Sequence, residues 1–207
     1  MKLSKSYSNI IFPSIIFAAA VLMTAFLATA SLRAADGDEQ LKVPPTPPGL
    51  TAQQIRGKYL VDIMGCHDCH TPMKMGPNGP QWDLDRALSG HPETLAMPPA
   101  PSLPPGPWIG VAAATFTAWN GPWGTSFTAN LTPDKETGLG DWTVDQFIAT
   151  MKTGKDRGKG RPVLPPMPVQ NLANLSDEDI RALFAYLQTL KPIKNRVPQP
   201  IDPPDSQ

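Results

Sequence analysis

Cysteine is almost missing from this chain. Two occur in 207 residues, Cys66 and Cys69. A pair this close cannot be a disulfide framework, because a bridge across two residues closes almost no loop. A structural zinc site is excluded as well, since it wants four Cys or His ligands and the histidines are only His67, His70 and His91. Net charge is also lacking: 18 basic side chains face 18 acidic ones, so there is no field suited to nucleic acid. No internal repeat is visible. Proline is what the chain has in excess, 26 residues gathered at 44–48, 98–107, 162–168 and 198–204. Proline removes a backbone donor and breaks element interiors, so these clusters read as loops and tails.

The first 35 residues read as an address. Lys2 and Lys5 form a short positive region, Ile10 to Leu27 is almost wholly apolar, and small residues follow up to Ala34 and Ala35. Cleavage near Ala34 is the expectation. The competing reading is a retained anchor over residues 10–32, close to the roughly 20 apolar residues that span a bilayer. Either sends the chain out of the cytoplasm, to the periplasm or another extracytoplasmic space. Losing Lys2, Lys5 and Arg33 with the leader leaves a mildly acidic protein, large enough for one ordinary domain.

Cys66-His67-Asp68-Cys69-His70 carries the chemistry. Two thiols at this spacing can each add to one vinyl group of a haem, and the histidine after the second thiol can then ligate the iron. A thioredoxin-like redox pair would not need the histidine and expects a strand–helix context that is missing here. One such motif means one covalently attached haem c, and export agrees with it, since attachment needs thiols delivered to an exported chain.

Three segments read as helices. Thr51-Ala-Gln-Gln54 is a capping box followed by Ile55, Tyr59, Leu60 and Ile63 at helical spacing, running to about Met64. Thr143-Val-Asp-Gln146 is a second box, with Phe147, Ile148 and Met151 on one face and Gly154 as the stop. Ser176-Asp-Glu-Asp179 opens the third, with Ile180, Leu183, Phe184 and Leu187 as its buried stripe, and Pro192 prevents continuation. This order around the haem motif resembles the class I cytochrome c family over about residues 50–192. Asn130-Leu-Thr-Pro-Asp134 with Thr137-Gly-Leu-Gly140 and Trp142 resembles, more narrowly, the haem domains of cytochrome subunits that serve alcohol and aldehyde dehydrogenases. So does Leu164-Pro-Pro-Met-Pro168 leading into Leu175-Ser-Asp-Glu-Asp179. Those subunits carry several haem motifs and this chain has one. The resemblance implies a mainly α fold, with a Pro/Gly-rich insertion at about 72–128 that contains a small β-hairpin. It leaves a Pro-rich linker at 36–49 and a Pro-rich tail at 193–207.

A second axial ligand must be sought among eight methionines and His91. Met1 and Met23 belong to the leader, Met64 lies too close to the motif, Met151 sits on a helix face suited to core filling, and Met73 and Met75 follow His70 directly. Met97 and Met167 remain, each in a proline-rich loop. Met167 lies between Pro165-Pro166 and Pro168, where a stiff backbone reduces the entropy lost in holding a weak Fe–S bond. Its place a short loop ahead of the last helix is also what the family pattern implies. His91 would give bis-His ligation; its bland reading is a surface loop histidine.

Within the insertion, Trp108 to Trp119 and Trp123 to Leu131 read as hairpin arms joined by an Asn120-Gly121 type I′ turn. The hairpin covers a haem edge, or alternatively exposes Trp108, Trp119 or Trp123 to a redox partner. Lys152, Lys155, Arg157, Lys159 and Arg161 form a basic run that is a solvated face, a link to haem propionates, or a steering patch. The function expected is single-electron transfer with a dehydrogenase, a cytochrome complex or a terminal oxidase as partner. The alternative is a haem enzyme or sensor whose sixth position is open or labile. Membrane contact would come only through an uncleaved anchor.

Overall fold

Three capped helices frame residues 48–203, the part of the chain that this computed structural model describes. The leader, its cleavage point and the possible anchor at 10–32 lie outside the described residues. Among those described, no helix is long and apolar enough to cross a membrane. The order is α1 (Ala52–Ile63), α2 (Cys66–His70), β1 (Met73–Gly76), β2 (Gly79–Trp82), β3 (Val111–Ala112), β4 (Ala118–Gly121), β5 (Gly124–Phe127), α3 (Val144–Thr153), α4 (Val169–Leu172) and α5 (Asp177–Leu187). The fold is therefore mainly helical, with two small antiparallel sheets between its first and last helices.

The caps form as their sequences predict. Thr51 Oγ1 accepts from the Gln54 amide at 3.3 Å and Gln54 Oε1 accepts from the Thr51 amide at 2.9 Å. Thr143 and Gln146 repeat the exchange at 3.2 and 3.0 Å, and the Ser176 hydroxyl accepts from the Asp179 amide at 3.1 Å. Each box satisfies first-turn donors that a helix leaves without partners.

The buried face of α1 is not the one its apolar spacing predicts. Ile55, Tyr59 and Ile63 are half exposed, while Gly57, Lys58, Leu60 and Val61 are buried. Close approach to α5 decides the face. A Cβ at Gly57 would fall inside the Ala182 carbonyl and against the Tyr186 side chain, so the two backbones meet where α1 has no side chain. Lys58 is carried inward with this face and pairs with Asp62 at 2.7 Å, while Arg56 reaches across to Asp179 at 2.9 Å. Leu60, Val61, Leu88, Leu139, Phe147, Ile180, Leu183, Tyr186 and Leu187 form the core.

The insertion holds two hairpins, where one is predicted, and both use the same device. Gly76-Pro-Asn-Gly79 joins β1 to β2, and Gly121-Pro-Trp-Gly124 joins β4 to β5, with each glycine pair in register. Asn120-Gly121 is thus not the turn; it ends β4. A type I′ turn needs positive φ at both central residues, and the positive angles fall instead on Gly79 (116°) and Gly124 (85°), each following a proline-led turn. β3 extends the second hairpin, and Thr125 of β5 exchanges hydrogen bonds with Ile201 at 2.7 and 2.9 Å. The tail is consequently part of the folded body as far as it is described.

Gly57→Ala should destabilise the protein by about 1–3 kcal/mol through overpacking, a fall of about 2–4 °C in thermal midpoint per kcal/mol. Gly106→Ala, whose Cβ would make only an ordinary contact at 3.9 Å with the Pro104 carbonyl, should stay within about 0.5 kcal/mol. Thermal unfolding followed by circular dichroism checks both; equal midpoints would show that the α1–α5 approach can relax.

Candidate functional site

A cavity of about 580 Å³ opens among the attachment turn, the end of β5, α3, the 161–169 loop, α5 and the tail. Cys66, Cys69, His70 and Met167 all line it. Met97 and His91 do not. His91 is fully buried elsewhere, with Nδ1 against Thr117 Oγ1 at 3.0 Å, Nε2 against the Leu95 carbonyl at 3.0 Å and its ring on Phe127. That corrects its reading as a surface histidine: both nitrogens are committed to the insertion. Met64 and Met151 also line the cavity while packing on the core.

α2 is a single turn that starts from Gly65 in the left-handed region and presents Cys66, Cys69 and His70 to the cavity, with His67 turned aside against Trp82. Burial pushes the Cys66 thiol up to about 11 and raises Cys69 as well. A redox or zinc-binding pair would instead be activated by a lowered value. Burial also lowers the His70 value, against the hydrogen bond to Ala129. His70 Nδ1 lies 2.8 Å from the Ala129 carbonyl, and a carbonyl can only accept, so the ring proton belongs on Nδ1. The basic Nε2 has no partner among the described residues, the arrangement by which a metal-ligating histidine is oriented.

The Ala129 carbonyl is itself held by the Asn130–Gly140 segment. Asn130 is buried and used at both ends. Its Oδ1 accepts from the Thr132 amide (3.0 Å) and hydroxyl (2.7 Å), and its Nδ2 donates to the Ile193 carbonyl (2.8 Å) and Thr137 Oγ1 (3.2 Å). Asp134 Oδ1 accepts from the Thr137 hydroxyl at 2.6 Å and amide at 2.8 Å. Asn195 in the tail completes the network, donating to the Ser89 and His91 carbonyls at 2.7 and 2.9 Å. None of these roles is legible from the sequence beyond the motif as a pattern.

The 161–169 loop has its own fastening. Ser126 Oγ donates to the Pro165 carbonyl at 2.6 Å and accepts from Trp123 Nε1 at 3.3 Å. The hairpin thus reaches the loop that carries Met167. At the mouth, Arg161 and Arg196 are exposed and line the cavity. Two half-buried thiols on one turn, an imidazole whose Nε2 has no partner among the described residues, a thioether, largely apolar walls and two exposed guanidinium groups suit a covalently held haem.

The family model of cytochrome c matches residues 54–191. A subunit of nicotinate dehydrogenase from Pseudomonas putida is 30% identical over 159 residues, which is 75% of this chain and 10% of that protein. The cytochrome c subunit of alcohol dehydrogenase (quinone) from Gluconobacter oxydans is 40% identical over 146 residues, 69% of this chain and 23% of that one. The fructose dehydrogenase cytochrome subunit of Gluconobacter japonicus is 29% identical over 151 residues, 72% and 24%. The chain spans a quarter or less of the length of these curated relatives.

Asn130→Ala should destabilise the protein by several kcal/mol, since each buried polar partner left without a bond costs about 1–3 kcal/mol. Asp134 adds a pH dependence. The Thr137 hydroxyl holds its carboxyl below the usual value. Its contribution is complete above the unfolded value near about 4 and is lost as pH falls through the lower folded value. Asp134→Asn should flatten that acid limb in urea titrations at stepped pH; an unaltered limb would assign the acid dependence to other carboxylates.

Proposed function

The chain belongs to the cytochrome c family, and from that premise we propose that it is an exported single-haem carrier of electrons. Cys66 and Cys69 would hold the haem through thioethers, His70 and Met167 would be its axial ligands, and Arg161 and Arg196 would meet its carboxylates. A reversible ferric/ferrous couple is the chemistry that such a haem supplies. The convergence of Cys66, Cys69, His70 and Met167 on one cavity is the observation that carries this reading. The protein's own part is to bury the ligands, orient His70 through Ala129, and hold Met167 through Ser126 and its flanking prolines. An open, peroxidase-like site would want an acid/base group over the iron, and the one spare histidine, His91, is engaged away from the cavity. The single Cys-x-x-Cys-His motif supports one haem, and the relatives' names support a dehydrogenase as electron donor.

The basic run divides in two. Lys152 donates to the Ala173 and Leu175 carbonyls and pairs with Asp177 at 3.5 Å. Arg157 lies over the Trp142 ring at 4.8 Å. Lys155, Lys159 and Arg161 are exposed and have no salt bridge among the described residues. With Arg161 assigned to the haem carboxylates, Lys155 and Lys159 are the charges available to steer a transient acidic partner.

Met167→Ala should keep the haem covalently attached, because Cys66, Cys69 and His70 are untouched. It should abolish the far-red sulfur–iron band of the oxidised protein, admit cyanide and lower the potential. A variant that keeps the band would remove Met167 from the iron, and a wild-type mass equal to the bare polypeptide would remove the haem altogether.

Replacing Lys155 and Lys159 with Glu should slow electron transfer to the native acceptor by about tenfold at low salt. The difference should shrink at about 0.1 M, where exposed charges are screened beyond roughly 10 Å. Equal stopped-flow rates at low salt would leave these lysines a solvated face.

A further inference from the structure

Between Glu93 and Asp134 the chain carries no Asp, Glu, Lys or Arg for 40 residues. Part of that stretch folds: Trp119 and Trp123 are half-buried and their indole N–H groups are bonded to Phe116 and Ser126. The segment Ala96–Ile109 does not. It has no regular secondary structure and no backbone hydrogen bond among the described residues. Six of its residues from 98 to 107 are proline. It ends in Trp108, 76% exposed, and Ile109, 72% exposed. Both of its ends are fixed, by His91 on the Leu95 carbonyl and by β3 on β4. None of it lines the cavity.

We propose that this arm is the permanent anchor of the chain on a larger dehydrogenase subunit, with Trp108 and Ile109 seated in an uncharged, aromatic-lined cleft of that subunit. The proposal rests on the dehydrogenase-partner reading above and names the surface that serves it. Long-lived interfaces are depleted of charge at their centre, and Trp is a favoured anchor there. A proline-rich strand loses little entropy on docking and fits aromatic-lined grooves. A lipid surface fits less well, because the arm's unpaired backbone carbonyls would have no donors in hydrocarbon, whereas a protein cleft can supply them. Docking here leaves the cavity mouth and the nearby exposed lysines Lys155 and Lys159 free for a second, transient partner.

The test uses the full chain, tagged and expressed in its own host, and compares wild type with Trp108→Ser/Ile109→Ser. Each is purified by tag and size exclusion at about 0.01 M and about 1 M salt, where screening lengths are about 30 Å and 3 Å. The wild type should elute with a dehydrogenase polypeptide, identified by mass spectrometry, at both salts. The double variant should keep its haem spectrum, elute at the monomer mass and recover at least tenfold less dehydrogenase. A variant that stays in the complex would overturn the anchor while leaving the partner reading intact. So would a wild-type complex that falls apart at high salt, since charge would then be holding it. A wild type that is monomeric at both salts would overturn the partner reading itself. Two further results would reassign the arm to self-association or to lipid: a complex of two copies of this chain alone, or variant-sensitive sedimentation of the purified protein with phosphatidylcholine vesicles, with or without phosphatidylglycerol.

Discussion

One hydrogen bond, from His70 Nδ1 to the Ala129 carbonyl at 2.8 Å, links the attachment turn to everything that faces it. The two residues are 59 positions apart, so the bond is only as good as the network that places Ala129. Asn130 supplies that network by tying its own loop to the Ile193 carbonyl and to Thr137. Asn195 extends it to Ser89 and His91, and its Oδ1 accepts from the Glu93 amide at 2.8 Å. Segments near residues 70, 90, 130 and 195 are thereby locked together by polar groups that are themselves buried. Such a network is costly to leave half made, which gives the imidazole a single orientation. A loop-rich protein gains here what a thick apolar core would otherwise provide.

The insertion does two jobs with two of its segments. Its β5 end closes the cavity wall and, through Ser126, grips the Pro165 carbonyl. Its Ala96–Ile109 segment stands clear of the cavity and shows apolar side chains to solvent. Covering a cofactor and presenting an anchor need opposite chemistry, buried against exposed, and the chain separates them with the buried His91 and its Thr117 and Leu95 bonds. The charged and uncharged surfaces are divided in the same spirit. Cations cluster beside the ligand loop, where fast association benefits from steering, and are absent from the arm.

What could be read from the sequence was local. Capping boxes at Thr51 and Thr143, the stop at Gly154 and the Cys-x-x-Cys-His turn depend on neighbours within four residues, and each appears where its pattern puts it. What could not be read was which face meets which. Ile55, Tyr59 and Ile63 have the spacing of a buried stripe, but the approach of α5 is set by the missing side chain at Gly57, so a glycine outweighs three large apolar residues. The twin Gly-Pro-x-Gly turns were legible in principle as a repeat, yet Asn120-Gly121 is the more familiar signal and points two residues too early. Asn130 and Asn195 were out of reach, because their partners are assembled only by the fold.

The boundary between core and site is also less sharp than the sequence suggests. Val61, Leu139, Phe147, Leu183 and Leu187 belong both to the hydrophobic core and to the lining of the cavity. An apolar cavity of this size forfeits the dispersion contacts of the groups that line it, and the cost of such a void grows with its volume. A group that would fill it from within, tethered at Cys66 and Cys69 as proposed, would make those contacts in the folded state and lose them on unfolding, so it would stabilise the fold. The five apolar residues would then be held in place by the cofactor as much as the cofactor by them. Packing changes at Phe147 or Leu183 would therefore act on the environment of the proposed haem and on the fold through the same contacts.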